Sequence, residues 1–214
     1  MKYHATEKFR TIINDAMDVL GGSAIIRGEN NLLAHAYFAI PISITVEGAN
    51  ILTRNLMQFG QGLIKSHPYI YTQINALKNN NVQSFDRAFF AHIGLVFNSF
   101  CKSLAYYLTR AQINCQKGHF QRYKQKLTWV SSEFTLLTNV ALAILGPSLK
   151  KRENISARFG DILSNCYLIT ATLREFENNP NQKDEDLVDY ICNYCFNEIQ
   201  IAREEIIINI GYLG

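Results

Sequence analysis

The sequence lacks a strong charge of either sign. Its 214 residues include 21 lysines and arginines and 18 aspartates and glutamates, so the net charge is only +3. A nucleic-acid-binding surface usually collects lysine and arginine against many phosphates. We therefore predict no nucleic-acid partner and interpret the basic cluster formed by Lys150–Arg152 and Arg158 as a solvated helix face. Nucleic-acid binding through that cluster is the least favoured alternative.

Long apolar runs are also missing. A helix that spans a bilayer needs roughly 18 or more consecutive apolar residues, and even Ile206–Ile208 is cut short by Asn209. Charged residues recur at short intervals through residues 1–30, which excludes the apolar core of a signal peptide. We expect a soluble chain with no transmembrane segment in it.

Cysteine is sparse, and its spacing does not indicate a disulfide framework. Five cysteines are an odd number in a chain of this length, which favours a reducing, cytoplasmic location. Cys192 and Cys195 have the spacing of a redox or metal pair, but they lie within a helical pattern and no second pair accompanies them. We interpret them as ordinary helix cysteines. The five histidines are too scattered for a metal pattern, so we predict no metal.

Strand-like alternation is absent, whereas helical periodicity recurs throughout the chain. The hydrophobic content of 48% is ample for a packed core. Glycines and prolines divide the periodic stretches, with Gly21–Gly22, Pro41, His67–Pro68, Gly118, Gly146–Pro147 and Pro180 as the predicted stops. The predicted helices are Thr6–Leu20, Asn31–Ala39, one that begins within Ile44–Arg54, Tyr69–Lys78, and four later ones, of which one is capped by Ser84 and the last by Asp184. We predict a loop at residues 23–30. Short connections predict an all-α antiparallel helical bundle.

One acidic residue, Glu47, stands out because it follows an apolar run and precedes a glycine. A carboxylate there is either a helix-start acid that the helix dipole favours or a catalytic base in a partly dry pocket. The pair Gly21–Gly22 is equally ambiguous, since a helix end needs only one glycine and a second would let another group approach the backbone. The sequence has no GxSxG, phosphate loop or GxGxxG motif. From spacing alone both alternatives remain open.

Several motifs together resemble the carboxy-terminal part of acyl-CoA dehydrogenases, and most closely the large bacterial type of fatty-acid β-oxidation. The similar segments are Ile12–Gly22, Ile42–Arg54, Phe59–Gly62, His67–Tyr69, Phe85–Asp86, His92–Gly94, Leu108–Arg110 and Leu149–Ser164. The first of these match the end of the helical bundle, and the later ones match the helical tail of the bacterial enzymes. The resemblance implies residues 1–66 as the last part of the bundle domain and residues 67–214 as a truncated tail extension.

The resemblance also implies a site. In that family the acid of the Glu-Gly motif removes the α-proton of an acyl thioester while a flavin accepts the β-hydride, and Glu47 stands in that position. Gly21 and Gly22 match a segment that packs against the pyrophosphate of FAD, often from a neighbouring subunit. Gly48 matches the residue that leaves room for the substrate. Fatty acyl-CoA would be the substrate.

The sequence departs from the family chiefly in length. The amino-terminal and β-domains, which carry most of the FAD and CoA contacts, have no counterpart here. We therefore expect this chain to bind FAD weakly or not at all on its own and to be inactive in isolation. The chain is then expected to be a carboxy-terminal fragment, either a piece of a split gene or a remnant, and the implied partners are an upstream acyl-CoA dehydrogenase polypeptide and further copies in an oligomer. The alternative is a non-catalytic helical assembly module with aromatic faces that include Phe85, Phe89, Phe100 and Phe134.

Overall fold

A computed structural model describes residues 2–46, 48–55, 62, 67–110 and 120–211 of the chain. All regular structure within these residues is helical, which confirms the all-α expectation. The first helices are α1 Lys2–Leu20, α2 Gly22–Ile25, α3 Leu33–Thr45 and α4 Asn50–Leu52. They are followed by α5 Ile70–Lys78, α6 Val82–Leu108, α7 Gln121–Leu145, α8 Glu153–Asn178 and α9 Glu185–Gly211, with 3₁₀ turns at Gly146–Lys151 and Gln182–Asp184.

The hydrophobic core lies mainly between α8 and α9, which form the most extensive helix pair, with α7 against them. Its buried members recur at helical spacing on α8 and α9, as an amphipathic helix pair requires. They include Phe159, Ile162, Ile169, Val188, Ile199 and Ile206. The short connection at residues 179–184 makes the two helices antiparallel neighbours. Separately, α1 packs on α3, and α6 packs between α5 and α7.

The predicted break at Pro41 is wrong, because α3 runs through this residue to Thr45. A proline inside a helix removes one backbone donor and costs about 3 kcal/mol. The helix nevertheless continues, since the Val46 N–H donates to the Ile42 carbonyl at 2.9 Å. Ile40, the residue before the proline, is buried, and the packing of α3 on α1 offsets the lost bond. Tertiary packing therefore overrides the local signal.

Other boundaries differ in detail from the prediction. Asn81, rather than Ser84, caps α6, because the Asn81 Oδ1 accepts a hydrogen bond from the Ser84 N–H at 3.0 Å. The predicted loop at residues 23–30 begins with the short helix α2. Gly118 and most of the helix predicted to end at His67 lie outside the described residues. The stop at Gly146 is confirmed, with φ of +50° at the end of α7.

A long apolar surface of α6 has no covering element among the described residues. Its members, which we call the α6 stripe, are Phe89, Phe90, Ile93, Phe97, Phe100, Leu104, Tyr107 and Leu108, and all of them are exposed. Four of these residues, Phe89, Ile93, Phe97 and Phe100, also line an apolar groove of about 730 Å³ between α6 and α7. Both helices are long and apolar enough to cross a membrane, with a mean hydropathy of 1.3 over 18 residues of each. Polar residues interrupt the apolar sequence of both helices, so neither helix contains an unbroken apolar run of that length.

Candidate functional site

Glu47, the predicted catalytic base, lies outside the described residues, but the residues on either side of it are described. Val46 follows α3, and Gly48 precedes α4. We call the described residues on either side of Glu47, 44–46 and 48–50, the acid turn. Its geometry at Gly48 is unusual, since φ is +93° there. A residue with a side chain is strained in that conformation. The backbone conformation alone therefore explains why position 48 is glycine, without a substrate.

The acid turn is held by three side chains from the first two turns of α1. The Lys2 Nζ donates to the carbonyls of Ile44 at 3.2 Å and Gly48 at 2.9 Å, and to the Asn50 Oδ1 at 3.0 Å. The Asn50 Nδ2 in turn donates to the Thr6 Oγ1 at 2.9 Å and to the Glu7 Oε1 at 2.8 Å. Asn50 is only 2% exposed. A buried amide with all of these partners fixes the turn against α1.

The predicted phosphate contact, Gly21–Gly22, forms the turn between α1 and α2. Gly21 has φ of +55° and ψ of −131°, a conformation confined essentially to glycine. A Cβ built on either glycine meets no atom within 4 Å, so a phosphate has room to approach. The Gly21 N–H already donates to the Met17 carbonyl at 2.9 Å. The carbonyl end of α1 and the exposed Asp18 disfavour an anion, so the fit to a pyrophosphate is steric only.

The two glycines should respond differently to alanine. We expect Gly21→Ala to lower the free energy of unfolding by about 1–3 kcal/mol, because its backbone conformation is strained for any side chain. Gly22 lies in a helix with open space at its Cβ position, so Gly22→Ala should change stability by no more than about 0.5 kcal/mol. Urea denaturation of both variants makes the comparison. Equal losses would contradict the assignment of the strain to Gly21.

The structure does not bring the predicted site residues together. Gly48 contacts Lys2 at the start of α1, whereas Gly21 follows the end of the same helix. Since α1 has 19 residues, the two positions are separated by about 28 Å along its axis. The glycine pair and the acid turn therefore form separate places on this chain.

A charged cluster connects Arg54, which follows the acid turn, to α8 and α9. Arg54 donates to Asp161 on α8 through its Nε at 2.8 Å and its Nη2 at 2.5 Å. Arg158 donates to the same carboxylate at 3.1 Å and also pairs with Glu205 on α9. The hydrogen bonds to Asp161 raise the pKa of Arg54. Arg158 is thus an ion-paired residue, and the prediction of a solvated face is wrong for it.

Two neighbouring histidines join α5, α6 and α7. The buried His67 accepts hydrogen bonds at its Nδ1 from the N–H groups of Tyr69 and Ile70, both at 3.2 Å. Its ring centroid lies 4.6 Å from that of His92. The Asn139 Oδ1 accepts from the His92 Nε2, because the Nδ2 of the same amide donates to the Thr135 carbonyl. Because the His67 Nδ1 accepts these two hydrogen bonds, the His67 ring carries its proton on Nε2, which is the neutral form.

We expect the stability of the chain to fall as the pH drops below about 6.5, the ordinary pKa of histidine. Burial lowers the pKa of His67, and the adjacent His92 lowers it further. Burial likewise lowers the pKa of His4. Because the unfolded chain then binds more protons than the folded one, stability is complete above the unfolded pKa and is lost below it.

Urea denaturation at pH 7.5 and pH 5.5 checks this dependence. His67→Gln should reduce the difference between the free energies of unfolding at the two pH values. His4→Gln should reduce the same difference by the contribution of His4. A pH difference that persists unchanged in the double variant would contradict the assignment to these two residues.

The cysteine pair lies in the core rather than in a site. Cys192 and Cys195 are both buried on α9. Burial raises the pKa of Cys192 to about 12 and also raises that of Cys195. Thiols with such pKa values remain protonated and unreactive near neutral pH. This agrees with their interpretation as ordinary helix cysteines.

Lys2 and Asn50 are the residues that sequence reasoning missed. Asn50 gave a weak signal as a lone amide just after the Glu-Gly motif. Lys2 gave none, because it is 42–48 residues away from the groups it binds. Arg54 and Asp161 are 107 residues apart, so local sequence patterns could not predict their ion pair either.

The comparison with known families identifies the tail. A family model described as acyl-CoA dehydrogenase, C-terminal, bacterial type, matches residues 64–212. No solved structure matches the chain significantly. The matched range begins after Gly48, so Gly21, Gly22, Glu47 and Gly48 all precede it. It covers more than half of the sequence, and the chain therefore belongs to the bacterial type of acyl-CoA dehydrogenase C-terminal domains.

Proposed function

We propose that this chain is the base-carrying part of an FAD-dependent acyl-CoA dehydrogenase. The enzyme would convert fatty acyl-CoA to trans-2-enoyl-CoA in fatty-acid β-oxidation, in the cytoplasm. The observation that carries the proposal is the family match over residues 64–212, which directly follows a segment with the Glu47-Gly48 motif. Arg54 and Asp161 bind that segment to the matched tail.

In this proposal Glu47 abstracts the α-proton of the acyl thioester. An isolated carboxylate in a mostly apolar cleft has a raised pKa and faces less competition from water, so it serves as a base. FAD, when bound, accepts the β-hydride. Gly21 and Gly22 would lie against its pyrophosphate, and Gly48 beside the substrate.

The proposal requires more than this chain. The glycine turn offers a phosphate space but few favourable charges, which supports weak or absent FAD binding by the isolated chain. The separation of about 28 Å between the ends of α1 supports an oligomer in which Gly21–Gly22 and Glu47 serve different active sites. We expect the isolated chain to be inactive and an upstream polypeptide to supply the missing contacts.

The test is acyl-CoA dehydrogenation by the chain together with an upstream polypeptide that carries the amino-terminal and β-domains, with added FAD and an artificial electron acceptor. We expect activity in the mixture, and a loss of at least about 100-fold in kcat for Glu47→Gln, because a positioned base contributes 10²–10⁴-fold. Glu29→Gln, in the exposed loop before α3, is the matched control. A mixture without activity, or full turnover by Glu47→Gln, would overturn the proposal.

The α6 stripe favours a second candidate function, a helical assembly module. Phe90, Phe97, Tyr107 and Leu108 are 67–71% exposed, and the other four members of the stripe are 43–50% exposed. Because an aromatic side chain carries roughly 150–250 Å², the stripe totals on the order of 800 Å², which is the area one partner contributes to a stable interface. Phe89, Ile93, Phe97 and Phe100 of the stripe also line the groove between α6 and α7, so the exposed apolar side chains and the groove form one continuous face. A second copy related by twofold symmetry can cover this face with its own.

Sedimentation velocity on the purified chain tests this candidate. We expect a dimer that dissociates when Phe90 and Phe97 are both replaced by glutamate. Val19→Glu, at a position on α1 that is 86% exposed, is the control and should leave the dimer intact. A wild-type monomer, or a dimer that survives the double substitution, would rule out the stripe as the interface.

A further inference from the structure

The local hydrogen bonds given for the described residues of the acid turn lie at its two edges, where the Val46 N–H donates to the Ile42 carbonyl and the Thr53 N–H donates to the Ala49 carbonyl. α3 ends at Thr45 without a basic residue in its last turn, and α4 contains only three residues. The last carbonyls of a helix have no partner within the helix, and the backbone reverses at Gly48 with positive φ. A segment of this kind needs partners from elsewhere in the fold to keep one conformation.

Lys2 provides those partners from another helix. Its ammonium group has three N–H donors, and the three acceptors it contacts all belong to the acid turn. The Ile44 carbonyl lies at the negative end of α3, where a cation is favoured by the helix dipole. The Gly48 carbonyl belongs to the residue joined covalently to Glu47. The ammonium therefore bonds to the turn on both sides of position 47.

We propose that Lys2 is a positioning residue that holds the acid turn in its working conformation, with Asn50 as the second attachment to α1. This inference rests on the proposed function of Glu47 as the base. Asn50 accepts from Lys2 and donates to Thr6 and Glu7, so its amide connects the turn to two successive turns of α1. The base depends on this attachment because small displacements of a reacting group lower the rate strongly.

Hydrogen exchange measured by mass spectrometry on the purified full chain tests the attachment without any activity. Lys2→Met keeps the apolar stem and removes the donors, and we expect exchange in the peptide that covers residues 44–50 to accelerate at least tenfold. Lys8→Met is the matched control, since the Lys8 ammonium lies on the same helix but sits 4.6 Å from the Tyr194 ring. It should leave that peptide unchanged. Equal exchange in the wild type and Lys2→Met would overturn the inference.

Turnover in the mixture with the upstream polypeptide tests the consequence for the base. We expect Lys2→Met to lower kcat about tenfold with KM for acyl-CoA unchanged, and Lys2→Arg to recover most of the rate because it restores a cationic donor. A loss that appears only in KM, or no rescue by arginine, would contradict a positioning role. If Glu47→Gln is inactive while Lys2→Met matches the wild type in both measurements, this inference fails and the proposed function stands. Full activity in Glu47→Gln refutes the proposed function itself.

Discussion

Replacing Phe159 by alanine should lower the free energy of unfolding by about 3–5 kcal/mol, the usual cost of removing a buried aromatic ring. Phe159 is fully buried at the centre of the core of α7, α8 and α9. Its ring packs edge-on against Phe134, with 5.8 Å between the centroids. Helices from both sides hold the site, so the cavity cannot collapse fully. Urea denaturation followed by circular dichroism measures the loss.

Phe38→Ala is the control for this substitution. Phe38 lies on α3 and is 59% exposed, and its contacts are with Tyr37 and the guanidinium of Arg27. Its loss should cost less than about 1 kcal/mol. Comparable losses for the two variants would show that the core is not centred on Phe159.

Asp161→Ala should lower the free energy of unfolding by about 2–3 kcal/mol, because it leaves the partly buried Arg54 guanidinium without its carboxylate, whereas Arg158 keeps Glu205. The Asp161 side chain is 14% exposed and accepts from both Arg54 and Arg158. Asp15→Ala, at an exposed position on α1, is the control. In the Asp161→Ala background, Arg54→Met should cost less than it does in the wild type, since the pair is already broken. Additive losses would mean that the two residues are not coupled.

Periodicity in the sequence was sufficient for the long helices. α7, α8 and α9 follow the apolar spacing closely, because each contributes one face to the core. In α6 the same spacing produces the α6 stripe, which is exposed among the described residues. The local rules failed where tertiary contacts outweigh them. Pro41 lies inside α3, and a neighbouring asparagine takes the capping role expected of Ser84. These differences come from single hydrogen bonds and from packing on α1, which the spacing of apolar residues does not encode.

The candidate site was predictable only in part. The Glu-Gly motif and the glycine pair were found through resemblance, and their roles stay predictions. The contacts made by Lys2, Asn50 and Arg54 depend on which helices become neighbours, so no local pattern contains them. The predicted division at residue 66 also stays a prediction, although the Arg54–Asp161 pair joins its two sides.

The length of α1 has a consequence for genetics. With the glycine turn and the acid turn at opposite ends of α1, the proposed function requires each copy of the chain to contribute these two turns to two different active sites. Copies that carry Glu47→Gln and copies disabled at the glycine turn would then be inactive alone. On mixing, an exchange-symmetric dimer would restore about a quarter of the intact active sites, since every mixed pair contains one site with neither defect. Two defective alleles of this gene would therefore complement each other.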